Sequence, residues 1–514
     1  MTVASDAKSP DATEADKQQA DKQADKRLRE RVERLLDRPA VVSSGAATLA
    51  SGQHLDYNVR ASFVPVVARG LGDQAGEPQA AVFTIAYTAA GLQTGSPRPI
   101  CFAFNGGPGS ASVWLHLGAL GPKRVLMPDD GGMPAPPYAV VDNPHSWLGH
   151  FDLVFIDPPQ TGFSLSASAK ARKTQLSVDG DIAAMAEVIR AWLAANGRFG
   201  SPLYIAGESY GTTRGAGIAN TLQEMGLSLS GAILISCAMD LQSLVFAPAN
   251  DLPYALFLPA FANVAQYHGL LKGALGASPE AAREAAEAFV QDDYLAALHL
   301  GARLTGDKRE RIAARVAELT GLPLAVVTDA NLRISDMTFF FEALRHKGLQ
   351  VGRLEARVTG PLGAKRGRSF EMDPGTEALV GPYTTAALAY FAELGIATET
   401  RYEVLSMDVN KAWNWKRKSG SDDGEVEGYT STSPDLALAL RRNPHFKVMV
   451  ASGRYDLGTP YSASDWSIAQ LDVPPDVMAR VRHQHYDAGH MMYTRPTDLA
   501  QLQVDLAAFM ATPG

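Results

Sequence analysis

Cysteine is nearly absent: Cys101 and Cys237 are the two in 514 residues. So few exclude a disulfide framework and a cysteine-based metal site. Both lie in apolar runs that end predicted strands, so buried free thiols are expected in preference to a bridge. No apolar run approaches the roughly 20 residues that span a bilayer, so no membrane partner is expected. Basic excess is also lacking. The formal net charge of −8 argues against nucleic acid or an anionic membrane surface as partner. The first forty residues hold no apolar signal region. Residues 1 to about 26, with repeated Ala-Asp-Lys units, offer little to bury and read as a solvated tail. From Arg27 to Leu36 the charges fit the surface of a helix. The chain as written reads as cytoplasmic; a removed export signal replaced by Met1 would leave the same sequence.

What is present is a globular composition, 46% hydrophobic and 20% charged. Residues 61–68 and 80–88 are rich in Val, Phe, Ile and Tyr and predict an antiparallel pair. Short apolar runs at 99–104, 152–156, 203–206 and 231–236 predict buried strands. Helical periodicity at 178–195 and 212–225 alternates with them. This rhythm indicates an α/β fold with a mixed, mostly parallel sheet and helices on both faces. It breaks near Leu241 into Ala-rich helical sequence and a Gly/Arg-rich stretch at 360–368. It resumes at 446–450 and 480–486, with a terminal helix at 497–510. The expected organisation is a disordered or helical N-terminal tail (1–40), a core in two pieces (41–241 and 443–514) and an inserted helical cap (242–442) over the site. No internal repeat is present.

The chemistry centres on Gly207-Glu208-Ser209-Tyr210-Gly211. Small residues around a serine, between a strand and a helix, allow a sharp turn that lifts the hydroxyl above the sheet edge. A Gly-rich turn with a capping serine is the plainer reading of the same letters. A serine nucleophile needs an imidazole base, and the imidazole needs an orienting carboxylate. Asp456 follows one late predicted strand, and His490 follows the next, in the order Ser, Asp, His. His483 and His485 alternate within a strand and read as surface or packed rings. Asp152 and Asp157 precede the serine and are weaker orienters. Negative charge on a reacting carbonyl needs donors. The Tyr210 amide at the helix start is one. The loop Asn105-Gly106-Gly107-Pro108-Gly109 offers the second, from Gly107. That loop is not a phosphate loop, because no Gly-Lys-Ser/Thr follows it.

Taken together, these motifs resemble the serine carboxypeptidases, an α/β-hydrolase lineage. The resemblance rests on Asn105-Gly106-Gly107-Pro108-Gly109, Gly162-Phe163-Ser164, Gly207-Glu208-Ser209-Tyr210-Gly211, Gly453 with Asp456, and Ala488-Gly489-His490-Met491. It implies release of the last residue of a peptide without metal or other cofactor, often at acidic pH. It implies a triad of Ser209, Asp456 and His490 and an oxyanion hole at Gly107 and Tyr210. It also implies that Asn105 and Glu208 hold the substrate's free carboxylate. Such a pair is attractive when one of the two acids is protonated.

The chain departs from the family pattern at four places. Ala103 stands where a tryptophan is usual, Ala119 for a second glutamate before Leu120-Gly121-Pro122, Ser110 for a cysteine and Gln160 for a glycine. No Asp or Glu lies between Asn105 and Pro128. Half of the family's carboxylate-recognition set is thus missing. An esterase or acyltransferase acting on small esters with the same triad is therefore the alternative, and a non-enzymatic binding protein the third reading. Glu208 also fits a plain helix-dipole role. Met491 and Met492 fit either a leaving-group pocket or packing. Trp114 reads as core before substrate wall, and Tyr383 lies in the insertion. The partner expected is a peptide or small ester, with a homo-oligomer left open.

Overall fold

A computed structural model describes residues 14–68, 75–91, 97–364, 371–397, 400–417 and 428–512. Part of the expected tail (1–13) and part of the Gly/Arg-rich stretch (365–368 of it) lie outside them. The main sheet holds ten strands: β1 Val41–Thr48, β2 His54–Val67, β3 Pro78–Ala89, β4 Ile100–Phe104, β5 Asp152–Ile156, β6 Leu165–Ser166, β7 Leu203–Glu208, β8 Gly231–Ile235, β9 Lys447–Gly453 and β10 Val481–Tyr486. The spatial order is β1-β2-β3-β5-β4-β7-β8-β9-β10, with β6 paired to β3. The strands from β5 to β10 along this path run parallel, and β1, β2 and β3 add an antiparallel edge.

The sequence explains these elements. The run Ile-Cys-Phe-Ala-Phe of β4 is buried throughout, as a central parallel strand must be. Its side chains alternate between two apolar layers: Cys101 and Ala103 on one face, Ile100, Phe102 and Phe104 on the other. Helix α2 (Val178–Asn196) starts at Ser177, whose hydroxyl accepts the Gly180 amide at 3.2 Å. It ends at Gly197, whose φ of 64° is left-handed. Helix α3 (Tyr210–Glu224) packs beside α2 on the second face through Ile218 and Leu222. Helix α6 (Pro496–Ala511) covers the first face with Leu502 and Leu506. Both cysteines are buried free thiols. Among the described residues no helix is long and apolar enough to cross a membrane.

The N-terminal segment is helical from well before Arg27, and its first turns are mostly exposed, as a solvated tail requires. Helix α1 runs from Glu14 to Leu36. Its Ala, Lys, Gln and Glu residues are good helix formers, and Val32 and Leu35 are buried against Ala81 and Ala167. The edge strand β1 is a further addition to the sequence-predicted strands. Its sequence Val-Val-Ser-Ser-Gly-Ala-Ala-Thr has mostly solvent-facing side chains and little apolar signature.

Between β8 and β9 the chain builds a helical layer. Helix α4 (Leu252–Tyr267) and its successors share a third apolar cluster around Phe257, Phe261, Tyr294, Val316 and Phe339. Tyr455, Leu457 and Tyr461, which follow β9, join that cluster and tie the layer to the core. Helix α5 (Pro374–Glu393) packs into the first core layer through Tyr383, Ala386 and Tyr390. Leu436 and Leu440, late in the insertion, pack into the second.

Candidate active site

The sequence-predicted residues meet at the C-terminal edge of the parallel strands, where open α/β sheets place their ligands. Ser209 stands between β7 and α3 with φ 59° and ψ −130°, a conformation that L-residues hold only when their surroundings impose it. Glycines permit the turn. A Cβ on Gly211 would lie 2.8 Å from the Phe104 carbonyl oxygen, and one on Gly106 would fall on the Tyr210 and Gly211 amide nitrogens. The glycine loop after β4 is thus pressed against the start of α3. Among the described residues neither the Gly107 nor the Tyr210 amide has a hydrogen-bond acceptor. A buried ion pair fixes α3 from behind. Arg214 Nε donates to Asp181 Oδ2 at 2.7 Å, both side chains 1% exposed, and Arg214 Nη1 donates to the Asn105 carbonyl at 2.6 Å.

Asp456 and His490 pair as expected. His490 Nδ1 lies 2.7 Å from Asp456 Oδ2. Asp456 is fully buried and satisfied on every side: Oδ1 accepts the Gly458 and Thr459 amides, and Oδ2 also accepts Thr459 Oγ1. Burial opposes a charged His490, but the Asp456 carboxylate outweighs it, so the imidazole is raised above its ordinary range. His490 and Ser209 line one cavity of about 140 Å³, together with Asn105, Gly107 and Glu208. Among the described residues the Ser209 hydroxyl has no hydrogen-bond partner, so its bond to the imidazole is not formed in this structure. Such bonds often tighten only when substrate binds.

Glu208 and Asn105 are joined: Asn105 Nδ2 donates to Glu208 Oε1 at 3.0 Å, and Asn105 Oδ1 accepts the Leu115 amide at 3.0 Å. Tyr493 donates to Glu208 Oε2. Burial pushes the Glu208 carboxyl up to about 7, while these donors and His490 work in the opposite direction.

The other candidates sort by position. Trp114 does line the cavity, its indole N–H donating to Ser110 Oγ at 2.8 Å, and Met491 lines it too. Met492 and Tyr383 are fully buried. Asp152 is held by Arg98 and Arg198 at the other end of β5. Asp157 accepts the Ser112 amide at 2.8 Å, and burial pushes it up to about 7. Neither orients His490. Gln160, standing where the family carries glycine, takes a left-handed φ of 67°. His483 is packed, with Nδ1 2.7 Å from Asp465 and Nε2 2.9 Å from Ser452 Oγ. Asp465, His483 and His485 bring three potential metal-ligating atoms within 4.8 Å of one another, although the first two already share a hydrogen bond.

Three contributors were not legible in the sequence. Tyr493 and Thr459 complete the Glu208 and Asp456 hydrogen bonds. The third is the inserted segment 353–356, which runs between the loops that carry Asp456 and His490. The Arg353 carbonyl accepts the Leu457 amide at 3.0 Å, the Leu354 carbonyl accepts the His490 amide at 2.6 Å, and the Ala356 amide donates to the Tyr455 carbonyl at 3.1 Å.

The sheet order, the elbow and the late loops define the α/β-hydrolase class. Within that class the chain is similar to the serine carboxypeptidases: residues 75–230 match the family model described as serine carboxypeptidase. Over 133 residues it is 32% identical to serine carboxypeptidase-like 36 of Arabidopsis thaliana, which covers 25% of this chain and 25% of that protein. The matched part is therefore about a quarter of the curated relative's length. The fold matches that of KEX1(delta)p, a prohormone-processing carboxypeptidase from Saccharomyces cerevisiae, with a TM-score of 0.53 and 13% identity over 88% of this chain and 91% of that one.

Proposed function

We propose that the protein is a serine hydrolase that releases C-terminal residues from peptides through an acyl-enzyme at Ser209. The observation that carries this reading is the buried His490–Asp456 pair, at 2.7 Å, whose imidazole lines the same cavity as Ser209 and Glu208. Asp456 holds the Nδ1–H tautomer and leaves Nε2 as the base. His490 takes the Ser209 proton as Oγ attacks the scissile carbonyl. The oxyanion gathers the free amides of Gly107 and Tyr210. Collapse breaks the peptide bond, and His490 returns the proton to the leaving amine. Water then attacks the ester, His490 accepts its proton, and the acid and free serine are released. Asn105 and protonated Glu208 hold the substrate's free carboxylate on this reading. A carboxyl pushed up to about 7 keeps its proton through the acidic range.

A second reading, an esterase or acyltransferase, is favoured by one observation: Ala119 is buried among apolar side chains where a second carboxyl would stand. Turnover of a blocked dipeptide, its C-terminal amide and a small aryl ester distinguishes the two, with Ser209→Ala as control. Faster release from the free acid than from the amide supports the carboxypeptidase. Equal rates on acid and amide, with rapid ester turnover, would establish the second reading.

A further inference from the structure

We propose that Arg353, delivered by the inserted layer, is the cationic carboxylate-binding residue of this pocket. The inference rests on the proposed hydrolase reading and names the chemistry of its substrate.

The Arg353 backbone is pinned on both sides. Its amide donates to Asp373 Oδ1 at 2.8 Å, and its carbonyl accepts the Leu457 amide at 3.0 Å. The next residue, Leu354, holds the His490 amide. The segment is thus fixed between the Asp456 and His490 loops, and Arg353 lines the cavity that contains Ser209. Its Nη1 lies 3.1 Å from the position a Cβ on Gly458 would take, so the absence of a side chain there makes room for the guanidinium.

Nearby arginines are engaged: Arg357 with Glu355, Arg454 with Asp487. Among the described residues the Arg353 guanidinium makes no direct hydrogen bond or ion pair, although its charge reaches the Asp336 carboxyl and favours its ionised form. Asp456 is not its partner, because both of its oxygens are occupied by Gly458, Thr459 and His490. Asp373 is turned to the start of α5, where it accepts the Gly375 amide and the Thr376 hydroxyl. Arg353 also borders an outer groove of about 720 Å³ that carries Glu371 and Glu377.

The missing second glutamate gives this cation its role. A glutamic acid–carboxylate pair needs a shared proton and fails once that proton is lost. A guanidinium stays charged across the working range and grips a carboxylate with two parallel hydrogen bonds. The ligand chemistry is a carboxylate beside the scissile bond, supplied either by the peptide terminus or by an acidic side chain.

The test measures kcat and KM at pH 5.5 and 8.5 for wild type, Arg353→Gln and Arg353→Lys. The substrates are a blocked neutral dipeptide, its C-terminal amide and an aspartate-containing amide. Wild type is expected to prefer a carboxylate-bearing substrate over the neutral amide at pH 8.5 by about tenfold, through KM. Arg353→Gln loses that preference at pH 8.5, and Arg353→Lys restores part of it. Loss on the free-acid substrate assigns the terminal carboxylate; loss on the aspartyl amide assigns the side chain. An unchanged preference in Arg353→Gln, or none in wild type at pH 8.5, overturns the proposal. Labelling of wild-type Ser209 by a fluorophosphonate separates the failures: a labelled enzyme without the preference sinks only the Arg353 inference, whereas an unlabelled folded protein sinks the hydrolase reading itself.

Discussion

The carbonyl oxygen of Leu354 accepts the amide hydrogen of His490 at 2.6 Å. An inserted segment therefore sets the position of the loop that carries the imidazole. Gly489 makes the approach possible, since a Cβ there would fall against the Leu354 carbonyl and lie 2.8 Å from the Glu355 Cα. Gly489→Ala is expected to displace His490 and to lower kcat by about 100-fold. Circular dichroism and kcat on an aryl ester check this. A folded variant with wild-type kcat would show that the contact does not position the imidazole.

Asp456 is buried and lies 2.7 Å from His490 Nδ1, with Thr459 Oγ1 3.2 Å from the same nitrogen. Asp456→Asn keeps the shape but favours the wrong imidazole tautomer. The expected fall in kcat is about 10⁴-fold, with melting temperature little changed. Steady-state kinetics and a thermal scan separate this from unfolding.

Glu208 gives a pH signature. Its folded-state carboxyl is raised to about 7 by burial, well above the roughly 4.3 of an unfolded chain. The folded protein therefore binds this proton more tightly than the unfolded one. Stability falls as pH rises from about 4.5 through 7. Glu208→Gln removes the ionisable group, so its stability relative to wild type should improve across that window and level off above it. Denaturant midpoints at pH 5 and pH 8 test this. A constant difference between the two pH values contradicts the assignment.

The Arg214–Asp181 pair behind α3 is dry on both sides. Asp181→Ala strands a buried guanidinium and is expected to cost about 3–5 kcal/mol. Replacing both partners, as Asp181→Leu with Arg214→Met, should recover much of the loss. Urea unfolding of the single and double variants measures it.

The legible parts of the site share one physical property: their signals are local. Ser209 announces itself through adjoining strand, glycines and helix. Asp456 and His490 follow from chain order after two late apolar strands. Arg353 and Tyr493 carry no such signal, because their roles depend on how distant segments cross at the sheet edge. The same limit hid β1, whose exposed edge needs little apolar sequence. The first turns of α1 are charged helix formers whose sequence fits a helical and a disordered tail equally well. Gln160 shows the reverse case. Its departure from glycine was visible, while the left-handed backbone retained at that site was not.

The most direct measurement is the rate and site of fluorophosphonate labelling, mapped by peptide mass spectrometry. One adduct is expected, on Ser209, absent in Ser209→Ala and slowed at least about 100-fold in His490→Ala. A folded wild-type protein without the Ser209 adduct, or an equal labelling rate without the His490 imidazole, would contradict it.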